Sequence, residues 1–133
     1  MRLVAALLGV LALAFAAPAA ADPPAAEAFV DVFPDTNPCT GATMTVTITV
    51  NGFLHDHGSR EVFYGERTIT TSDGFSGRGT ETFVLNGQII LFRQTDIMTN
   101  ASGDRFRANG AFVLDLSTDT VRVERFALTC LSK

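Results

Sequence analysis

Between Thr43 and Leu131 apolar and polar residues alternate in short runs, each ending at a cluster of glycine, serine, asparagine or aspartate. The clearest run is 104–116. Phe106, Ala108, Gly110, Phe112, Leu114 and Leu116 share one parity there, opposite Arg105, Arg107, Asn109, Val113 and Asp115. A period of two marks a strand with one buried face. Ser117-Thr118-Asp119-Thr120 then turns the chain back into 121–131. If Leu116 faces Val121, Leu114 meets Val123 inside and Asp115 meets Arg122 outside. The pattern then slips, and a β-bulge at Glu124-Arg125 would return Phe126, Leu128 and Cys130 to the apolar face.

The same punctuation recurs upstream at Gly58-Ser59, Ser72-Asp73-Gly74, Asn86-Gly87 and Ala101-Ser102-Gly103. It predicts a meander of long strands over 43–57, 60–71, 75–85, 88–99, 104–116 and 121–131, with no helical spacing between them. The turns also predict registers. Asn86-Gly87 as a two-residue loop pairs Leu85 with Gln88, Phe83 with Ile90 and Glu81 with Phe92. Ala101-Ser102-Gly103 as a three-residue loop with a left-handed glycine pairs Met98 with Phe106, Gln94 with Gly110 and Phe92 with Phe112. Asp73-Gly74 as a two-residue loop pairs Tyr64 with Phe83 and Glu66 with Glu81. Tyr64, Phe83, Leu85, Ile90, Phe92, Phe106, Phe112 and Leu114 then share one face. In the first run, Met44, Val46, Ile48 and Val50 alternate with threonines until Asn51-Gly52, where a bulge is expected.

Residues 22–38 hold four prolines and several alanines around Phe29-Val30-Asp31-Val32-Phe33. They predict a linker with at most one short edge strand. Strands 43–57 and 121–131 run in opposite directions in this meander, so contact between them would be antiparallel and would close a barrel. The expected fold is all-β: a single antiparallel up-and-down meander of six to seven long strands, a closed or nearly closed barrel or clam with one disulfide. About eight strands are needed for a roomy interior, so this barrel is narrow or flattened.

The first 21 residues change the compartment. Met1-Arg2, an uncharged apolar run from Leu3 to Ala17, and Ala19-Ala20-Ala21 form a signal-peptide pattern cleaved before Asp22. The apolar run is shorter than a membrane span. Losing Arg2 takes the formal charge from −4 to one unit more negative. A mildly acidic, lysine-poor chain offers no electrostatic footprint for nucleic acid. No cysteine follows the leader directly and no apolar tail follows Thr129, so no lipid or membrane anchor is expected. The mature chain, a β-barrel domain over 39–133 behind the linker, is expected to be secreted. Cys39 and Cys130 in an exported chain suit a single disulfide, whose loop of about 90 residues would be worth roughly 4–5 kcal/mol. A reactive or metal-binding thiol pair is the alternative, though neither cysteine lies in a CxxC or a Cys/His cluster.

Asn37-Pro38-Cys39-Thr40-Gly41, the Thr/Val strand after it, and the ending Thr120-Val-Arg-Val-Glu-Arg-Phe-Ala-Leu-Thr-Cys130 resemble a family of small secreted proteins of high-GC Gram-positive bacteria. The likeness covers most of the mature chain through short motifs. It implies export, an all-β domain and a Cys39–Cys130 bridge, and supplies no catalytic residues to carry over.

Candidate chemistry lies in three places. His55 and His57, two apart, share a strand face and are weak candidates to hold a metal, lacking a third ligand nearby. The second place is the inner face. Glu66, Glu81, Gln94 and Asp96 are expected there beside Gly79, Ala108 and Gly110, which lack bulk and leave space. Convergent polar groups in a mostly apolar cavity suit a ligand site lined by Tyr64, Phe83, Phe92, Phe106 and Phe112. A facing Glu66–Glu81 pair would raise one pKa, as an acid–base dyad requires. The structural alternative is a wet barrel mouth with glycines placed for curvature. His57 and Glu81 are expected ~15 Å or more apart, which disfavours a His–carboxylate centre. Third, Val84, Ile89, Leu91 and Val113 form an outer apolar patch, open to a weak homodimer or else covered by the 29–33 segment.

The expected function is a secreted protein that binds a small apolar ligand without a cofactor. The alternative is an interaction module of the cell envelope, and an enzyme using the Glu66/Glu81 pair is the least favoured.

Overall fold

In a computed structural model, which describes residues 24–132, the described residues form seven strands and no helix. The leader expected over residues 1–21 lies outside the described residues. The strands are β1 (Ala25–Thr36), β2 (Thr43–Asp56), β3 (Arg60–Thr71), β4 (Ser76–Asn86), β5 (Ile89–Thr99), β6 (Arg105–Asp115) and β7 (Thr120–Ser132). They form one antiparallel up-and-down sheet in chain order. Even residues of β2, odd residues of β3 and β4, and even residues of β5 and β6 face the interior, as alternation demands.

The segment expected as a linker with at most one short edge strand forms a full-length edge strand. All twelve residues of β1 pair with β2, from Ala25 opposite Leu54 to Thr36 opposite Thr43. Its one proline, Pro34, does not prevent this, because an edge strand has only one neighbour to bond. Phe29 and Phe33 turn inward against the core. They therefore do not cover the outer patch.

Seven strands also change the closure. With an odd number, β1 and β7 run in the same direction, so the antiparallel seam expected between 43–57 and 121–131 does not form. β1 and β7 remain unpaired edges. The Cys39–Cys130 disulfide ties the loop after β1 to the end of β7, with Cα atoms 4.9 Å apart. The edges are thus clasped at one end without being hydrogen-bonded together. Asp31 and Asp35, on the inner side of β1, and the exposed Arg122, Glu124 and Arg125 of β7 put charge where another strand would otherwise dock.

Asn37 anchors the clasp. Fully buried, its Oδ1 accepts bonds from the backbone amides of Cys39 (2.8 Å) and Thr40 (3.3 Å), and its Nδ2 donates to Asp73 Oδ2 (2.7 Å). The Asn37-Pro38-Cys39-Thr40-Gly41 motif is therefore a side-chain-stapled turn that presents Cys39 to Cys130, with Gly41 at φ 76°.

Several registers differ from those expected. The Ala101-Ser102-Gly103 loop behaves as expected, pairing Met98 with Phe106 and Phe92 with Phe112, with Gly103 at φ 88°. The β4–β5 loop is Gly87-Gln88, not Asn86-Gly87, so Phe83 faces Phe92 rather than Ile90. This two-residue slide preserves the face of every side chain. The β3–β4 loop is Ser72-Asp73-Gly74, closed by a Thr71 amide to Phe75 carbonyl bond of 2.9 Å with Gly74 at φ 91°. One extra residue in that loop shifts the register by one and turns β3 over. Phe63 faces Phe83, while Tyr64 faces Thr82 on the outside. The bulge expected at Glu124-Arg125 falls at Arg122, since Leu114 pairs with Val121 and Val113 with Val123, and a second shift skips Leu131 between the Phe106–Cys130 and Arg105–Ser132 pairs. Asn51-Gly52 carries no bulge, because both neighbours of β2 keep register through it. Gly52 is needed for clearance: a Cβ there would lie 2.2 Å from the Tyr64 carbonyl oxygen and 2.5 Å from the Phe63 ring.

Candidate functional site

The inner face is apolar at both ends and polar across its middle. Toward the disulfide lie Met44, Val46, Ile48, Ile69, Met98 and Phe106. Toward the Gly87 turn lie Ile90, Phe92, Phe112 and Leu114, with the Phe92 and Phe112 rings stacked at 5.1 Å. Between them, adjacent ladder rows carry Arg67, Gly79, Asp96 and Ala108 in one, and Gly65, Glu81, Gln94 and Gly110 in the next. Each large polar side chain thus stands beside residues with little or no side chain. The small residues provide the room into which the polar ones fold.

The polar groups form one cluster. Arg67 is 5 % exposed. Its Nη1 donates to Glu81 Oε2 and its Nε to Asp96 Oδ1 at 2.9 Å. Gln94 Nε2 donates to the other oxygen of Asp96 at 3.5 Å. One cation faces two carboxylates. Burial pushes the Glu81 and Asp96 carboxyls above the ordinary carboxylate range, with the Arg67 charge and hydrogen bonds pulling the other way. Two buried polar atoms, Arg67 Nη2 and Gln94 Oε1, have no hydrogen-bond partner.

A cavity of about 250 Å³ adjoins this cluster. Arg67, Gln94 and Asp96 form its polar wall, and Met44, Ile48, Ile69, Met98 and Phe106 much of its apolar wall. The edge strands complete it, with Phe33 and Asp35 from β1 and Phe126 and Leu128 from β7. The unpaired seam therefore borders the cavity.

The residues predicted for a ligand site divide into three groups. Gln94, Asp96 and Phe106 line the cavity. Glu81 is buried beside it through Arg67, while Phe83, Phe92 and Phe112 fill the opposite end of the face. Tyr64 and Glu66 are elsewhere. They lie on the outer face, Tyr64 at 56 % exposed and Glu66 opposite Thr80. No facing Glu66–Glu81 pair exists; Gly65 is opposite Glu81, and Arg67 is its ion partner. The one-residue loop difference is the cause. The same difference hides Arg67, whereas the β1 wall is hidden by proline punctuation that reads as a linker. Applying the Ala101-Ser102-Gly103 loop type to Ser72-Asp73-Gly74 would have placed Arg67 across from Gly79, between the two carboxylates.

The histidines do not join this site. His55 lies on the outer face opposite Val62, its ring stacked on His57 at 6.3 Å and edge-on to Tyr64 at 6.1 Å. Among the described residues no group of three His, Cys, Asp or Glu side chains converges as a metal site would require. No helix among them is long and apolar enough to cross a membrane.

The outer patch is larger than expected. Val84, Leu91 and Val113 stand in one ladder row, which the exposed Val123 on β7 extends, while Val62 at the β3 end of the row is buried. Ile89 lies in the adjoining row, between Asn86 and Asp115.

Comparison with family models, with curated proteins and with solved structures finds no match to this chain.

Proposed function

We propose that this protein is an exported carrier that holds one small, mostly apolar molecule inside its curled sheet. The observation that carries this reading is the cavity itself, apolar on most sides with a compact polar wall at Arg67, Gln94 and Asp96. Sites for small molecules have that composition. A cavity of 150 Å³ admits benzene, so a volume near 250 Å³ suits a molecule of about ten non-hydrogen atoms. Two features support export: the leader pattern of residues 1–21, and a disulfide that suits an oxidising compartment. The likeness to small secreted proteins of high-GC Gram-positive bacteria agrees with it. Displacement of an environment-sensitive fluorophore by medium-chain amphiphiles tests the carrier function. Saturable displacement at one ligand per chain is expected, and no uptake by the folded protein would refute it.

The outer row favours a second reading, an interaction module or weak homodimer. Leu91 is 43 % exposed at the centre of an apolar row that β1 does not cover. Leu91→Glu separates the two, abolishing self-association or partner binding in the second and leaving ligand uptake intact in the first.

A further inference from the structure

Arg67 and Gln94 grip the same carboxylate from its two oxygens, and each is left with an unused polar atom. Both side chains line the cavity, and both are more than nine-tenths buried, at 5 % and 9 % exposed. Their needs are complementary. Arg67 Nη2 is a donor and wants an acceptor, while Gln94 Oε1 is an acceptor and wants a donor. Reversing the Gln94 amide would not help, because it would turn its oxygen toward the Asp96 carboxylate. A buried group left in this state carries a desolvation cost that a suitable partner removes.

Charge narrows the partner further. One guanidinium already faces two carboxylates within a low-dielectric wall, and the Asp35 carboxylate lines the β1 side of the same cavity. A further anion would add repulsion, and a carboxylate has no hydrogen to give Gln94 Oε1. An ammonium finds carboxylates at Asp35 and Asp96, yet it has no lone pair for Arg67 Nη2 and would leave that donor unpaired. A hydrocarbon would leave both atoms unsatisfied, as they are without it.

Resting on the proposal that the cavity is a ligand site, we propose that its ligand carries a neutral head group that both donates and accepts hydrogen bonds, a hydroxyl or a primary amide, seated against Arg67 Nη2 and Gln94 Oε1, with an apolar tail of about eight carbons among Met44, Ile69, Met98 and Phe106. The tail length follows from the cavity volume of about 250 Å³.

The test is a matched series on the purified protein at pH 7: 1-octanol, octanamide, octanoate, octylamine and octane, each measured by fluorophore displacement. The alcohol or the amide should bind at least tenfold tighter than the other three, and whichever of the two is tighter names the head group. Gln94→Leu should reduce that advantage to within about twofold of octane. The wild-type series decides the matter even where the variant does not fold. Octanoate or octylammonium binding as tightly as the alcohol overturns the head-group assignment. Octane binding as tightly overturns it too, since the two atoms would then take no partner from the ligand. If no member of the series binds, the ligand site itself fails, an outcome distinct from a changed ranking.

Discussion

Gly79 lies directly opposite Asp96 in the β4–β5 ladder, and a Cβ on Gly79 would come within 1.9 Å of Asp96 Oδ1. That oxygen is the one that accepts from Arg67 Nε. The absence of a side chain at position 79 is therefore what allows a carboxylate and a guanidinium to meet inside the sheet. Gly79→Ala must displace the carboxylate or the strand, and should cost roughly 2–4 kcal/mol through overpacking and a weakened buried hydrogen bond. Urea denaturation measures it. A change under about 0.5 kcal/mol, the ordinary scale of a surface substitution, would show that the cluster does not need this clearance.

Arg67 is the only cation bonded to Glu81 and Asp96 among the described residues. Arg67→Met keeps much of the volume and strands two buried carboxylates. The expected loss is about 3–5 kcal/mol at neutral pH. It should shrink as the pH falls and the carboxyls become neutral. A loss that stays constant from pH 7 to pH 4 would point to packing, not charge, as the role of Arg67.

The same carboxylates give wild-type stability a defined pH slope. Their folded pKa values are raised, so between the unfolded and folded values the native state holds more protons than the unfolded chain. Their contribution is thus fully present below the ordinary carboxylate range and is lost as pH rises through the folded values. Asp73 acts oppositely. Burial alone would raise it, but hydrogen bonds from Thr71 and Asn37 outweigh that and lower its pKa, so its contribution is lost as pH falls through its folded value. Urea midpoints measured across pH should decline on the alkaline side of the carboxylate range, and Glu81→Gln should flatten the decline. A rise in stability over that interval would contradict the raised values.

The fold was more legible than the site. Alternation at Phe106-Ala108-Gly110-Phe112 and the glycine of Ala101-Ser102-Gly103 carry enough information to define β5, β6 and their register, because a left-handed residue can occupy only one place in a three-residue loop. Ser72-Asp73-Gly74 carries the same signature, yet Asp73-Gly74 alone also fits a shorter loop. Local chemistry does not separate the two. The difference of one residue exchanges Tyr64 and Glu66 for Phe63 and Arg67 at the interior, which is the whole difference between a carboxylate pair and an ion cluster. Glu81 and Asp96 on one inner face did hold a hint, since two buried carboxylates require a countercharge. β1 was obscured for another reason: Pro34 and the prolines flanking the strand read as linker punctuation, and only its pairing along β2 shows that an edge position tolerates Pro34.

The clasp should matter to stability through the freedom of the unfolded chain. The disulfide joins positions 91 residues apart. Replacing both Cys39 and Cys130 with serine should cost about 4–5 kcal/mol by loop-closure entropy. Urea curves of the oxidised protein and of the double variant provide the comparison, and an unchanged midpoint would contradict that role.

The most direct measurement is a two-dimensional NMR titration of protein labelled at its methionine methyls. Met44 and Met98 both line the cavity, and the remaining methionine, Met1, lies outside the described residues. Addition of 1-octanol should shift both cavity methyl signals together and saturate at one equivalent. If neither signal moves in the folded protein while the alcohol is in excess, the interior does not take a ligand and the carrier function falls.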